Sequence, residues 1–336
     1  MRKNMRWVVF FSIVVMLLSL VVGCSDSTKP AATNSGTGTK LDYPKKSIEL
    51  VVPFAAGGGS DIFARNIERV ISSKKLVSQP LVIVNKPGAS GSIGYAYTAE
   101  KKGDPYTLAT VSSSFYTAPI LGQSPVSYKN FTPIAGLAMD TLLLVVRTDS
   151  KYQSVQDIID DAKANPKKLN VGGTSGTSDD AVMYYAFQAR TGTEMKYVPF
   201  NSGGEVMTAV LGGHVDMAWV NPGEALSQLE AKKARALAVA SKERLTALKD
   251  VPTLKEKGID LVLAQFRGVV APLDIPADVV KYWEGVLEKL AKDPEWTEGY
   301  LKKNMVEGRY LNSRDFSQAI IETTKMYEEF LSKVKK

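Results

Sequence analysis

In ELVVPFAAGGGSDIFAR, Glu49 to Arg65, a β-branched run, three consecutive glycines and a helical pattern follow one another without a break. Few arrangements accommodate that order. The apolar stretch Ile48 to Val52 predicts a buried strand, and Gly57, Gly58 and Gly59 allow positive φ and close approach of a ligand to main-chain N–H groups. The helix that follows starts with N–H groups lacking an intrahelical acceptor, so the turn and the helix start together form a cradle for an anion. A turn that is tight only for packing reasons would use the same glycines. No Lys-Ser/Thr follows them, and their spacing is not that of the dinucleotide motif, which disfavours a nucleotide and leaves a carboxylate open.

The start of the chain bears on where it works. Arg2, Lys3 and Arg6 precede an apolar run from Trp7 to Val22, and small Gly23 is followed by Cys24, the only cysteine in 336 residues. This pattern predicts a lipoprotein signal peptide over residues 1–23, with cleavage before Cys24 and diacylglycerol on its thiol. Residues 24–42, rich in Ser, Thr, Gly, Ala and Lys, read as a flexible tether. A sole cysteine leaves no disulfide framework and no Cys-based metal site.

The remaining residues exceed what one core usually serves, so two lobes are expected. Formal net charge is +7; the signal holds three of the 42 Lys and Arg, leaving 39 against 35 Asp and Glu, a balance of +4. No polybasic run stands out, and no nucleic-acid partner is expected. Short apolar strands alternate with amphipathic helices, an α/β pattern with largely parallel sheets. Strands are predicted at 48–52, 81–84, 107–111, 142–146, 169–171, 196–198, 216–220, 234–240 and 269–271, and helices at 61–73, 93–101, 154–165, 179–191, 204–212, 276–291 and 313–333. In the first helix Ile62, Phe63, Ile67, Val70 and Ile71 recur at a spacing that buries one face.

A second strand-to-helix turn, GGTSGTSDD from Gly172 to Asp180, repeats the local design, with hydroxyls from Thr174, Ser175, Thr177 and Ser178 and a helix cap among them. Facing each other across a cleft, the two turns would hold opposite ends of one small anion. Asp179 and Asp180 would repel it; they either serve the helix dipole or meet a cation, hydroxyl or water on the ligand. A third turn, NKPGASGSIG from Asn85 to Gly94, is placed to close the same cleft.

Taken in order, YPKKSIELVVPFAAGGGSD, VNKPGASGSIG, YTLATV, FTPIAGLA, VGGTSGTSDD, YVPFNSGGEVMTAVLGGHVDMA, RALAVASKERL, DVPTLKEKGIDL and FRGVVAPLDIP resemble the blocks of the tripartite tricarboxylate transporter solute receptors, the Bug-type receptors. The resemblance implies an α/β, two-lobed, periplasmic-binding-protein-like fold with a mixed sheet and flanking helices in each lobe and a ligand cleft between them. It implies an extracytoplasmic, non-enzymatic receptor that captures an organic carboxylate, most simply citrate or a related tricarboxylate or dicarboxylate. The receptor hands its ligand to the membrane subunits of a transporter, while the lipid on Cys24 holds it at the membrane. A monomer without cofactor or metal is expected. Carried over by position, ligand contacts fall on Phe54, Ala55, Ala56, Gly57, Gly58, Gly59, Ser60 and Asp61 from one side and on Gly173, Thr174, Ser175, Gly176, Thr177 and Ser178 from the other. Where many members carry a His after the second turn, this chain has Asp180.

Neutral N–H and O–H donors hold a carboxylate without burying a full ion pair. Further carboxyl groups would look to Lys86 and Arg267, each of which could equally form a surface or hinge salt bridge. Ser112 to Tyr116, with Ser113 among them, is placed to add hydroxyls and an aromatic wall, or is an ordinary strand exit; Phe200, Asn201, Ser202, Gly203 and Asn221 are further candidates. The chain is expected to cross between lobes near Leu137 to Val146 and Leu261 to Val270, giving lobe 1 as 43–142 plus 265–336 and lobe 2 as 143–264. Two other functions remain: a carboxylate sensor facing a membrane kinase, and a Ser-dependent hydrolase using the Ser175 turn. Against the hydrolase, GTSGT lacks the final glycine of the nucleophile elbow and the only base is the sole histidine, His214.

Overall fold

The computed structural model describes residues 41–332, with the side chain of Ser332 left aside. The expected signal peptide, its Cys24 and all but the last two tether residues lie outside the described residues. The first stretch of chain forms β1 (Ile48–Val52), α1 (Gly59–Ser73), β2 (Leu81–Asn85), α2 (Ser92–Glu100), β3 (Thr107–Val111), α3 (Ser113–Ile120) and β4 (Phe131–Thr141). The second forms β5 (Leu143–Arg147), α4 (Val155–Ala164), β6 (Asn170–Gly173), α5 (Asp179–Thr191), β7 (Lys196–Pro199), α6 (Gly203–Leu211), β8 (Met217–Val220), α7 (Pro222–Glu230) and β9 (Ala234–Val239). The last comprises β10 (Ala264–Pro272), α8 (Ala277–Ala291), α9 (Pro294–Trp296), β11 (Glu307–Leu311) and α10 (Ser313–Ser332).

Two mixed sheets result, one in the order β11-β4-β10-β3-β1-β2 and the other β7-β6-β8-β5-β9. Only Leu142 separates β4 in the first sheet from β5 in the second. The expectation of largely parallel sheets is corrected: β1 is parallel to β2 and β3, and β6 to β7 and β8, but the other five pairings are antiparallel. Strand β10, returning from the second sheet, runs antiparallel between β3 and β4, and β5 is antiparallel to β8 and β9.

Central strands read as unbroken apolar runs because both their faces are covered. Ile48, Leu50, Val51 and Val52 of β1 are fully buried. Helix α1 turns Phe63, Ala64, Ile67, Val70 and Ile71 to the core, whereas Ile62, expected on that face, is exposed. The sequence pattern also omits β4, whose Pro133 and Gly136 interrupt the run, and α3, whose Pro119 argues against a helix.

Glycines in β4 and β10 explain how the C-terminal helix docks. Gly136 pairs with Gly268, and the ring of Phe316 from α10 lies over both. A β-carbon on Gly268 would clash with that ring and lie 2.5 Å from the Ala135 carbonyl oxygen, which is backbone and cannot turn away. Gly268→Ala is therefore expected to destabilise the fold by about 2–3 kcal/mol, measured as a fall in the midpoint of urea unfolding.

Candidate functional site

Loop 53–58 leads from β1 into α1 and is tied by Asp61, in the first turn of the helix. Its Oδ2 accepts from the Gly57 N–H at 2.9 Å and Arg65 Nε at 2.7 Å, and its Oδ1 from Asn85 Nδ2 at 2.9 Å. Asn85 also donates to the Phe54 carbonyl at 3.0 Å. Burial works against ionisation of Asp61, but the hydrogen bonds from Arg65, Gly57 and Asn85 outweigh it and hold the carboxyl below its usual range. Gly57 has φ +84°, a conformation costly for any residue with a β-carbon. Among the described residues the N–H groups of Gly58, Gly59 and Ser60 have no acceptor.

Those donors open onto a cavity of about 710 Å³ walled by both sheets' elements. Phe54, Ala55, Ala56, Gly58, Gly59 and Ser60 line it on one side. Thr174, Ser175, Gly176 and Ser178 line it on the other, with Ser113, Asn201 and Asn221. The third turn adds Pro87, Gly88, Ser90 and Gly91. Ser178 closes the second turn: its hydroxyl donates to the Ser175 carbonyl at 2.7 Å and accepts from the Ser175 N–H at 3.2 Å.

Some expected contacts fall elsewhere. Asp61 is spent on the loop that it ties, and Gly57 borders a smaller adjoining cavity of about 160 Å³. Gly173 ends β6 beneath the Tyr197 ring, so the second turn starts at Thr174 and not at Gly172. Thr177 is fully buried, with its carbonyl accepting from the Thr117 hydroxyl. Lys86 does not line the cavity; its Nζ sits 3.8 Å from the centre of the Tyr97 ring. Ser112 to Ser114 do line it, at the start of α3. His214 is exposed and away from the cavity wall.

Arg267 stands at the cavity floor, 4% exposed. Its Nε donates to Asp140 Oδ2 at 2.7 Å and its Nη2 to Asn221 Oδ1 at 3.4 Å, while its guanidinium packs 3.2 Å from where a β-carbon on Gly59 would stand. Nη1 has no acceptor among the described residues. Burial opposes the charge, yet Asp140 beside it keeps the guanidinium firmly protonated.

Several carboxyl groups also stand in the wall. Asp179 accepts from Gln265 Nε2 at 2.8 Å, the Ser113 hydroxyl at 3.3 Å and Asn221 Nδ2 at 3.4 Å. Asp180 accepts from the N–H groups of Thr174 and Ala181 and, at 3.2 Å, the Tyr197 hydroxyl. Burial raises both carboxyls, Asp179 further through the charge of Asp140 and Asp180 through that of Asp179. Glu224, in the first turn of α7, accepts the Asn221 N–H at 3.1 Å and lies against Gly203, where a β-carbon would displace it. Burial, with the charges of Asp179 and Asp140, pushes Glu224 up to about 7.

The sequence does not single out Asp140, Gln265 or Glu224. Gln265 stands two residues before Arg267 on one strand, hence on the same face, which is the signal that was available for it. Glu224 is the third residue after Asn221, the spacing of a carboxylate that reaches back to a helix start.

A raised acid stabilises the fold in its neutral form, a contribution present below about pH 4.3 and lost as pH rises through about 7. Glu224→Gln imitates the neutral form at every pH. The variant is expected to match the wild type near pH 4.5 and to exceed it at pH 8 by on the order of 2 kcal/mol, as urea unfolding across that range would read.

The family model of the tripartite tricarboxylate transporter family receptor matches residues 63–335. A Cupriavidus necator protein described as a UPF0065 protein in the gbd 5' region is 32% identical over 295 residues, covering 87% of this chain and 88% of its own. A TctC solute binding protein from Polaromonas superposes with a TM-score of 0.69 at 29% identity, over 87% of this chain and 99% of that one. An R. palustris protein solved with adipate superposes with a TM-score of 0.81 at 25% identity, over 87% and 98%. With that match, this fold and a cleft of binding donors, the chain belongs to the tripartite tricarboxylate transporter receptor family, extracytoplasmic solute-binding receptors and not enzymes.

Proposed function

We propose that this receptor captures an organic carboxylate in the cleft and delivers it to the membrane subunits of a tripartite transporter. The observation that carries the reading is that Gly58, Gly59 and Ser60, whose N–H groups have no acceptor among the described residues, line one cavity with Arg267, whose Nη1 has none either. A carboxylate there receives several charge-assisted hydrogen bonds at a helix start. The opposite turn, Thr174 to Ser178, contributes from the other wall. The adipate held by the R. palustris relative supports a ligand of the organic-acid class.

In this reading the protein works as a monomer of two lobes, 43–142 with 265–336 and 143–264, that close by bending near Leu142 and near residues 261–264. The lipobox ending in Cys24 supports a lipid anchor outside the cell membrane. No helix among the described residues is long and apolar enough to cross a membrane. A thermal-shift screen of mono-, di- and tricarboxylates, with product analysis of every positive, tests the function. Saturable stabilisation without turnover is expected; a carboxylate consumed, or none bound, would overturn it.

A further inference from the structure

Among the described residues one cationic side chain, that of Arg267, lines the cleft together with four carboxyl groups, those of Asp179, Asp180, Glu205 and Glu224. Arg267 is already paired with Asp140. A ligand carboxylate therefore brings a further negative charge into a wall whose positive charge is largely met. A partly enclosed acid in that wall relieves the repulsion by binding a proton.

Hydrogen bonding decides which acid does so, because donors aimed at a carboxylate favour its ionised form. Asp179 accepts from Gln265, Ser113 and Asn221, and Asp180 from the N–H groups of Thr174 and Ala181 and from Tyr197. Glu205 stands exposed at the rim, where water solvates its charge, and accepts twice from Asn201. Among the described residues Glu224 has the Asn221 N–H alone. It is also the acid that lines both the cleft and the adjoining smaller cavity, with Gly58, Gly59, Asn221 and Arg267 at the junction. Glu224 thus stands beside the cradle and is the least held of the four.

The charges around Glu224 come from every element packed near it. Asp179 and Asp180 stand on α5, Asp140 on β4 and Glu205 on α6, all acidic, and the smaller cavity adds the neutral Tyr300. Arg267 on β10 is the one opposing charge among them, and Asp140 already engages it. With burial and the charges of Asp179 and Asp140 pushing it up to about 7, the carboxyl is partly ionised at neutral pH, so a further charge nearby alters its proton occupancy.

Resting on the carboxylate reading above, we infer that capture of the ligand takes up a proton from solvent onto Glu224, which makes the proton a second ligand of this cleft. One O–H bond forms at the Glu224 carboxylate; the ligand stays ionised on Gly58, Gly59, Ser60 and Arg267. By linkage the proton strengthens capture as much as capture strengthens the proton's hold, so affinity falls as pH rises through the range in which Glu224 ionises.

Calorimetric titration at pH 7.5 with adipate, malate and every other carboxylate that raises the unfolding temperature tests this. Run in HEPES and in Tris, it counts the protons, because the buffer that supplies them adds its own heat of ionisation. Adipate and malate are dianions at that pH, so a proton taken up belongs to the protein. An uptake of about half a proton per ligand is expected for the wild type, with affinity weakening roughly five- to tenfold from pH 6 to pH 8.5. Glu224→Gln, fixed in the neutral form, is expected to bind without uptake, with affinity flat over that range and about fivefold tighter than wild type at pH 8.5. A side chain needed only for packing would change affinity equally at every pH. No uptake by the wild type, or uptake unaltered in Glu224→Gln, would overturn the proton site and leave the carboxylate reading in place. Binding of no carboxylate would overturn both.

Discussion

Arg267→Met is expected to abolish carboxylate binding and to destabilise the protein by about 3–5 kcal/mol. Arg267 and Asp140 are 4% and 2% exposed, and removing one partner strands the other's charge in a nearly buried position without its counter-ion. Replacing both, as Asp140→Leu with Arg267→Met, leaves no orphaned charge and is expected to recover most of the stability. It recovers none of the binding, since Nη1 is gone. Urea unfolding and calorimetry on the single and double variants separate the two roles; binding by the stable double variant would show that Arg267 serves the fold alone.

Gly58→Val is expected to weaken binding by about a hundredfold, the value of one or two charge-assisted hydrogen bonds, with stability unchanged within about 0.5 kcal/mol. Gly58 has φ −80° and ψ 169°, extended backbone open to any residue, and a β-carbon there meets nothing nearer than the Ala55 carbonyl oxygen at 3.7 Å. The valine instead covers the N–H groups that face the cavity. Its neighbours would not isolate the effect: Gly57 needs positive φ, and a side chain on Gly59 presses on Arg267. Native-like circular dichroism with unchanged affinity would remove these N–H groups from the site.

What could be read from the sequence was local. The turn after β1 announces itself because strand, glycines and helix start are contiguous, and α5 spans Asp179–Thr191 as its pattern predicts. The sequence pattern starts the second turn two residues early because Gly172 and Gly173 are small for a non-local reason: Val206, Val215 and Ala218 pack on the first and Tyr197 on the second. Lys86 follows the same logic. Its position in the third turn suggests the cleft, but the Tyr97 ring, eleven residues on, draws its ammonium group aside.

The acidic half of the site needed the tertiary structure. Asp140 and Arg267 are 127 residues apart and meet only because β10 returns from the second sheet to lie beside β4. Until that pairing is visible, Arg267 reads equally as a cation for a further carboxylate and as one half of a surface or hinge salt bridge. Glu224 likewise gains its meaning from Gly203, whose lack of a side chain lets the carboxylate pack in. The sequence signals of an anion cradle were therefore legible, while the carboxyl groups of Asp140 and Glu224 beside Arg267 were not.

The account rests most directly on one calorimetric titration, run with each carboxylate that raises the unfolding temperature, on the wild type and on Gly58→Val side by side. One ligand per protein, bound without product and about a hundredfold more weakly by the variant, is the predicted result. No saturable binding of any carboxylate, or equal affinity in the two proteins, would contradict it.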